Sequence, residues 1–184
     1  GLYVASDEED AKYPDFLRKA GKRLAKAQRK LSQKQKESHN REKQRLRVAI
    51  LHEKVANQRR DFLHKKSRYL ADHYDAIGIE DISVKAMAKR KKGGKFSFGK
   101  SVADNGWNMF TNMLEYKLAW QGKKLIKIDK WYPSSQLCHV CGYQNHETKD
   151  LSVREWDCPK CGSHHNRDKN AAINIREEAR RISA

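Results

Sequence analysis

The chain's only four cysteines form two C-x2-C pairs, Cys138–Cys141 and Cys158–Cys161, with sixteen residues between them. Four thiolates at this spacing can close a tetrahedral shell around one zinc ion, two from each of two tight turns. Gly142 and Gly162 directly follow the second cysteine of each pair, where a tight turn calls for a positive φ. Two disulfides are the rival reading, and adjacent pairs in a chain with no signal-peptide pattern argue against it. A ribbon over residues 134–163 is too small to bury a core of its own. Metal binding would then supply much of its folding free energy, about 10 kcal/mol or more.

Charge is the second constraint. Lys and Arg number 40 against 23 Asp and Glu in 184 residues, a formal charge of +17. Such a field favours polyanions, and nucleic acid is the partner it fits best. An anionic membrane would call for a basic amphipathic helix with Trp or Phe on its apolar face, and none stands out as a separate element. No run approaches the ~20 apolar residues needed to cross a bilayer. A basic surface that is simply solvated is the plain alternative. The apolar share of 38% is low for a compact globule, as expected if part of the chain is an exposed helical arm.

Leu2 to Ser6 reads as a short strand before the acidic turn Asp7 to Asp10. Residues 15–36 have a helical pattern, with Leu17, Leu24 and Leu31 seven apart. Ser38-His39-Asn40 interrupts it, and Ser38 or Asn40 can cap a second helix over 41–73. The seam of that helix is Val48, Val55, Phe62 and Tyr69, joined by Leu51. Two narrow seams and a short connection predict an antiparallel hairpin over 12–73. This arm holds 20 of the 40 Lys and Arg but only six acids. Few of its cations can find i,i+4 partners, which favours an external polyanion.

Ala76 to Ile79 reads as a buried strand ending at Glu80-Asp81, and Lys85 to Lys95 as a basic, glycine-containing loop. Ser101 to Gln121 is helical in pattern, with Trp107, Phe110, Leu114 and Leu118 on one face and Gly122 placed as a C-terminal cap. Leu125 to Ile128 makes another strand, and Asn170 to Arg181 a closing helix. The order is that of an α/β protein.

Two carboxylates hold positions where chemistry is often placed. Glu80 ends an apolar strand at its carboxyl end, the usual side for sites in α/β folds. Asp168 precedes the last helix, whose N-terminus favours negative charge. Each also has an ordinary reading, as a strand-end surface acid and as a helix N-cap. Spacing alone does not bring the two together.

Taken with the cysteines, four stretches resemble the carboxyl-terminal nuclease region of the TnpB (OrfB) proteins of insertion sequences, relatives of the type V CRISPR effector nucleases. They are IGIEDISVKAM (77–87), GWNMFTNMLEYKLAWQGKKLIKID (106–129), YPSSQLCHVCG (132–142) and WDCPKCGSHHNRDKNAAINI (156–175). SHNREKQRLRVA (38–49), in the basic hairpin, is similar too. The resemblance implies an α/β, RNase H-like (RuvC-type) domain lacking its first strand, with the helical hairpin and the zinc ribbon as insertions. The nuclease region would span 1–133, the ribbon 134–163, and a last RuvC-like segment 164–184. The family's activity is RNA-guided DNA cleavage in association with transposition. DNA and guide RNA are then the implied partners, in the cytoplasm of a prokaryote near its nucleoid. Structural zinc on Cys138, Cys141, Cys158 and Cys161 and catalytic magnesium are the implied metals. Glu80 matches the family's second acid, and Asp168, in D-x-N-A-A, the third. Asn170 either supports that turn or simply starts the helix.

Two departures accompany the match. The family's first acid lies in a segment like G-I-D-x-G-L, which these residues do not contain; Asp7 and Asp10 follow the opening strand instead of occupying it. Asn166 stands where many relatives carry an acid. The expectation is therefore an amino-terminally truncated protein whose two acids hold magnesium weakly, cutting little alone while still binding nucleic acid. It could associate with the amino-terminal portion that it lacks. A non-enzymatic, zinc-containing nucleic-acid-binding remnant or regulator of transposition is the competing reading, and a coiled-coil scaffold the third. Trp107 and Trp120 are expected to be core or half-buried, and Trp131 and Tyr132 to be better placed to touch nucleic acid. His164 and His165 are expected outside the metal shell, and Ser134 and Ser135 at the ribbon's entry. His52, His64 and His73 are expected on helix surfaces.

Overall fold

The computed structural model describes residues 2–7, 11–82 and 106–184. The basic loop over 85–95, Asp10 and the expected start of the 101–121 helix lie outside the described residues. The chain divides into two compact units, one of residues 13–68 and 84–113, the other of 1–12, 69–83 and 114–184.

The first of these units is built on helices α1 (Phe16–Ser32) and α2 (His39–His73, of which residues to 68 belong here). They are antiparallel, as expected. Arg41 Nη1 donates to Leu31 O at 3.1 Å, Gln44 Nε2 to Ala27 O at 2.9 Å, and the Phe16 and Phe62 rings lie 6.0 Å apart. Of the two candidate caps it is Ser38 that acts: its Oγ accepts the Arg41 N–H at 3.2 Å, satisfying one of the orphan donors of α2. Leu24 and Val55 are buried on the seam. Gln44 is buried as well, where a heptad reading looks for an apolar side chain. Its amide is satisfied by the Ala27 carbonyl, so burial costs little. Leu63, Phe110, Met113 and Tyr13 are also buried in this unit.

In the second unit β1 (Ala76–Glu80) and β2 (Lys124–Ile128) pair in parallel, in register from Ala76↔Lys124 to Glu80↔Ile128. A parallel pair needs a crossover connection, and α3 (Trp107–Trp120) lies on it. Phe110, Leu114 and Leu118 are buried, as the periodicity predicts, and Gly122 caps the helix at φ 68°. Trp120 departs from expectation at 77% exposed. Two residues past Leu118 is about 200° around the helix, away from the apolar seam. Leu2 to Ser6 is not a strand; it forms only an isolated bridge, Tyr3↔Ala11.

Beyond β2 come the short strands β3 (Glu155–Asp157) and β4 (His164–Asn166), antiparallel, and then α4 (Arg167–Ser183). Helix α4 packs on both β1 and β2. The approach is closest at Gly78: a Cβ there would stand 2.6 Å from Ala179 Cβ and 3.3 Å from the Ile175 carbonyl. Gly78→Ala is expected to push helix and strand apart and to destabilise the unit by about 1–3 kcal/mol. Thermal unfolding should then fall by several degrees, by about 2–4 °C per kcal/mol for a chain of this size. Removing the opposing methyl with Ala179→Gly should restore much of the lost cooperativity. No helix among the described residues is long and apolar enough to cross a membrane.

Candidate metal centre and carboxylate site

The four cysteines converge. Their sulfurs all lie within 4.8 Å of one another. Cys138 Sγ and Cys161 Sγ are 3.7 Å apart, and Cys141 Sγ and Cys158 Sγ 3.6 Å. A tetrahedron with the ~2.3 Å bonds of zinc thiolate has edges of about 3.8 Å, so the cluster has the dimensions of a four-thiolate zinc site. Two turns of the same construction present the sulfurs. The Gly142 N–H donates to Cys138 O and the Gly162 N–H to Cys158 O, each at 2.8 Å, at φ values of 73° and 72°. Both glycines are needed for that left-handed step. Cys138 N–H donates to Tyr143 O, and Cys158 N–H to Ser163 O, closing each turn.

The sulfurs are electrostatically unequal. Cys161 is pulled down to about 6 by the Ser163 hydroxyl and backbone N–H. At Cys141 the Tyr143 backbone N–H lowers the pKa, but burial and the three neighbouring sulfurs outweigh it and leave the thiol at about 12. Four thiolates repel one another, and a divalent cation at their centre removes that penalty. Around the sulfurs the apolar cluster is small: Cys138, Trp156 and Cys158, with Cys141 and Val153 packed against it.

His165 is 2% exposed, and its Nε2 lies 3.1 Å from Cys138 Sγ, placed to donate to a thiolate. Its ring packs between Trp156 at 4.7 Å and His139 at 4.8 Å. Burial and the neighbouring His139 hold it toward the neutral form. His164 instead points outward, with Nδ1 2.8 Å from Asp157. His165 thus acts on a sulfur without belonging to the four-sulfur set.

Polar side chains of α4 grip the ribbon. Asn170 is 1% exposed; its Oδ1 accepts from His139 N at 3.1 Å and Nδ1 at 2.9 Å, and its Nδ2 donates to Leu137 O at 2.6 Å. Asn174, one turn on, donates to Ser134 O at 2.8 Å and Leu137 O at 2.7 Å. Asn170 therefore does far more than start a helix. Asn174 and His139 carry no motif, but two Asn at i,i+4 on an otherwise amphipathic helix were the available signal. Ser134 is buried at the ribbon's entry, its carbonyl part of this grip.

Helix α4 begins three residues earlier than the pattern suggests. Asn166 is the N-cap: its Oδ1 accepts the Asp168 and Lys169 N–H groups, each at 3.2 Å. Asp168 is therefore not the cap. It lies in the first turn, exposed, with Arg154 Nη1 3.4 Å from its Oδ2. Glu80 ends β1 half-buried, and burial pushes its carboxyl above the ordinary value. The two acids thus sit on contacting elements of one unit. Asp168 is seven residues, about 10 Å along the helix axis, before Ile175, which abuts Gly78.

Two families match in succession. OrfB_IS605, described as "Probable transposase", matches residues 1–91, and "Cas12f1-like, TNB domain" matches residues 107–175. The chain is similar to the TnpB (OrfB) family along most of its length. It is 42% identical over 95% of its length to "Putative RNA-guided DNA endonuclease" of Streptomyces pristinaespiralis. It is 36% identical over 86% of its length to "Putative RNA-guided DNA endonuclease InsQ" of Escherichia coli K12. In each case it spans 42% of the relative's own length. Among solved structures, a chain of "Cryo-EM structure of the Cas12f1-sgRNA-target DNA complex" shares its fold, with a TM-score of 0.55 at 22% identity over 90% of this chain and 44% of that one. The fold is α/β, and the TnpB-type resemblance read from the motifs stands.

Proposed function

We propose that this chain forms the nuclease part of a transposon-associated, RNA-guided DNA endonuclease, an RNase H-like domain carrying a zinc ribbon. The single observation that carries the reading is the placement of Glu80. It is a half-buried carboxylate, raised by desolvation, at the carboxyl end of a parallel strand. On that same strand packs the helix whose first turn bears Asp168. A group that burial penalises when charged is one that a bound cation would restore. Glu80 and Asp168 supply hard oxygen ligands, the donor type magnesium takes. Magnesium bound there would supply charge stabilisation to phosphodiester hydrolysis. Glu80 and Asp168 would hold and orient it, and the helix N-terminus beneath Asp168 would favour the negative charge gathered there. The cationic hairpin α1–α2 would bind the nucleic-acid backbone irrespective of sequence, with guide RNA and target DNA as the partners. Zinc is the metal proposed for the four sulfurs.

These 184 residues offer two acids where the family pattern has three, so weak cleavage is expected from them alone. The test uses a chain that includes a G-I-D-x-G segment, with guide RNA and matching DNA. Cleavage should require magnesium or manganese and stop with EDTA. Glu80→Gln and Asp168→Asn should each lower it by about a thousandfold or more, a transition-state loss of the size seen when an electrostatic group is removed. Target binding should change little. Undiminished cutting by both variants would remove Glu80 and Asp168 from the reaction, and no metal-dependent cutting by the unsubstituted chain would return it to a non-enzymatic nucleic-acid binder.

A further inference from the structure

Trp131 is 80% exposed, more than any other large apolar side chain among the described residues. It is not on a loose segment. Its N–H donates to Asp129 Oδ1 at 2.7 Å, the Tyr132 N–H to Asp129 O at 3.0 Å, and the Ser134 N–H to Tyr132 O at 2.8 Å. Successive bonds of this kind fix the turn and hold the indole in water, where apolar area of that size is unfavourable. Lys130 Nζ lies 5.1 Å from the centre of the Trp131 ring. A flat aromatic surface beside a cation matches a nucleobase and its phosphate.

The sheet register says where this surface sits. Glu80 pairs with Ile128, and the Asp81 N–H donates to Ile128 O at 3.4 Å. Trp131 follows Ile128 by three residues in a parallel pair, so it stands at the same sheet end as Glu80. Trp120, almost equally exposed, precedes β2 and belongs to the opposite end. A five-residue strand separates the two ends by about 16 Å. We infer that Trp131, with Lys130, is a stacking platform for an unpaired base of single-stranded nucleic acid, holding the strand beside the carboxylate end of the β1–β2 sheet. A paired base offers no free face, so the occupant is single-stranded. The location beside a reacting phosphodiester rests on the function proposed above; the stacking itself does not.

The test measures binding of a fluorescent dT20 strand, and of a duplex of equal length, without added magnesium or manganese at two salt concentrations. Zinc is retained in the protein and no cleavage is involved, so loss of the nuclease reading would leave this result unaffected. Trp131→Ala should weaken dT20 binding at least fivefold, and as much as about a hundredfold, the range for one stacked base. The salt dependence should stay unchanged, because no phosphate contact is removed. Trp131→Phe should remain within about threefold, and Trp120→Ala and the duplex within about twofold. The side chain is exposed, so truncation leaves folding intact, checked by circular dichroism and zinc content. A loss under fivefold for Trp131→Ala overturns the proposal, as does an equal loss on duplex or an equal loss for Trp120→Ala. A small loss would make Trp131 an ordinary surface residue, and an equal loss on duplex or for Trp120→Ala would show a contact that is not base stacking at this site.

Discussion

Stripping the metal from Cys138, Cys141, Cys158 and Cys161 is expected to unfold residues 134–166 while leaving the α1–α2 hairpin helical. The ribbon's apolar cluster consists of three buried residues, two of which are the clustered cysteines Cys138 and Cys158. Trp156 is the third. Without a metal, the two turns are joined by that small cluster, by the Cys138–His165 contact and through α4, while β3 and β4 flank the second turn alone. Structural zinc contributes about 10–16 kcal/mol in small modules, a quantity this cluster cannot replace. Chelator titration followed by Trp156 fluorescence should show a steep loss of buried indole signal, with most far-UV helical signal retained from α1 and α2. Cys138→Ser should reproduce the effect, since it also leaves His165 Nε2 beside a poorer acceptor. Acid should act in the same direction. Protons compete with the metal for all four sulfurs, so metal loading is present at neutral pH and is lost as pH falls. A ribbon that keeps its fluorescence after complete zinc removal would sink this account.

What could be read from residues alone follows from which forces are periodic. The hairpin, α3 and both strands of the parallel pair announce themselves because apolar side chains recur at helical or strand spacing and the burial obeys it: Leu24, Val55, Phe110, Leu118 and Ile128 are all inside. The four-cysteine cluster was legible because cysteines at this fixed spacing have few other uses. Isolated local patterns misled. Leu2 to Ser6 has strand composition but only a single bridge partner, and composition is blind to whether a neighbour exists. Asp168 drew the start of α4 toward itself, although Asn166 holds the cap. The partners of the buried amides were not legible. Gln44, Asn170 and Asn174 lie inside because specific carbonyls meet them, and no periodicity encodes the partner of a hydrogen bond.

Asn170→Ala tests the most consequential of those buried amides. Asn170 Oδ1 is the acceptor for both the backbone N–H and Nδ1 of His139, the residue next to Cys138. Truncation leaves a part-buried N–H without its partner, at about 1–3 kcal/mol, and adds a cavity where the amide was. A total of about 2–4 kcal/mol is expected. Asn174→Ala should cost less, about 1–2 kcal/mol. It abandons only carbonyls, which tolerate loss better than N–H groups, and Leu137 O keeps its bond from Asn170. The order of the two effects is the informative part. In Asn170→Ala the His139 amide should exchange with deuterium many times faster, and zinc should leave to a chelator sooner, because the first metal turn has lost its anchor on α4. The disturbance should also reach the first turn of α4, two residues away, where Asp168 lies. Equal costs for the two variants, or an unchanged His139 exchange rate, would mean that ribbon and helix are held by packing alone. The expected order would instead establish the Asn170 amide as the link between the metal-bound turn and the helix that presents the acid.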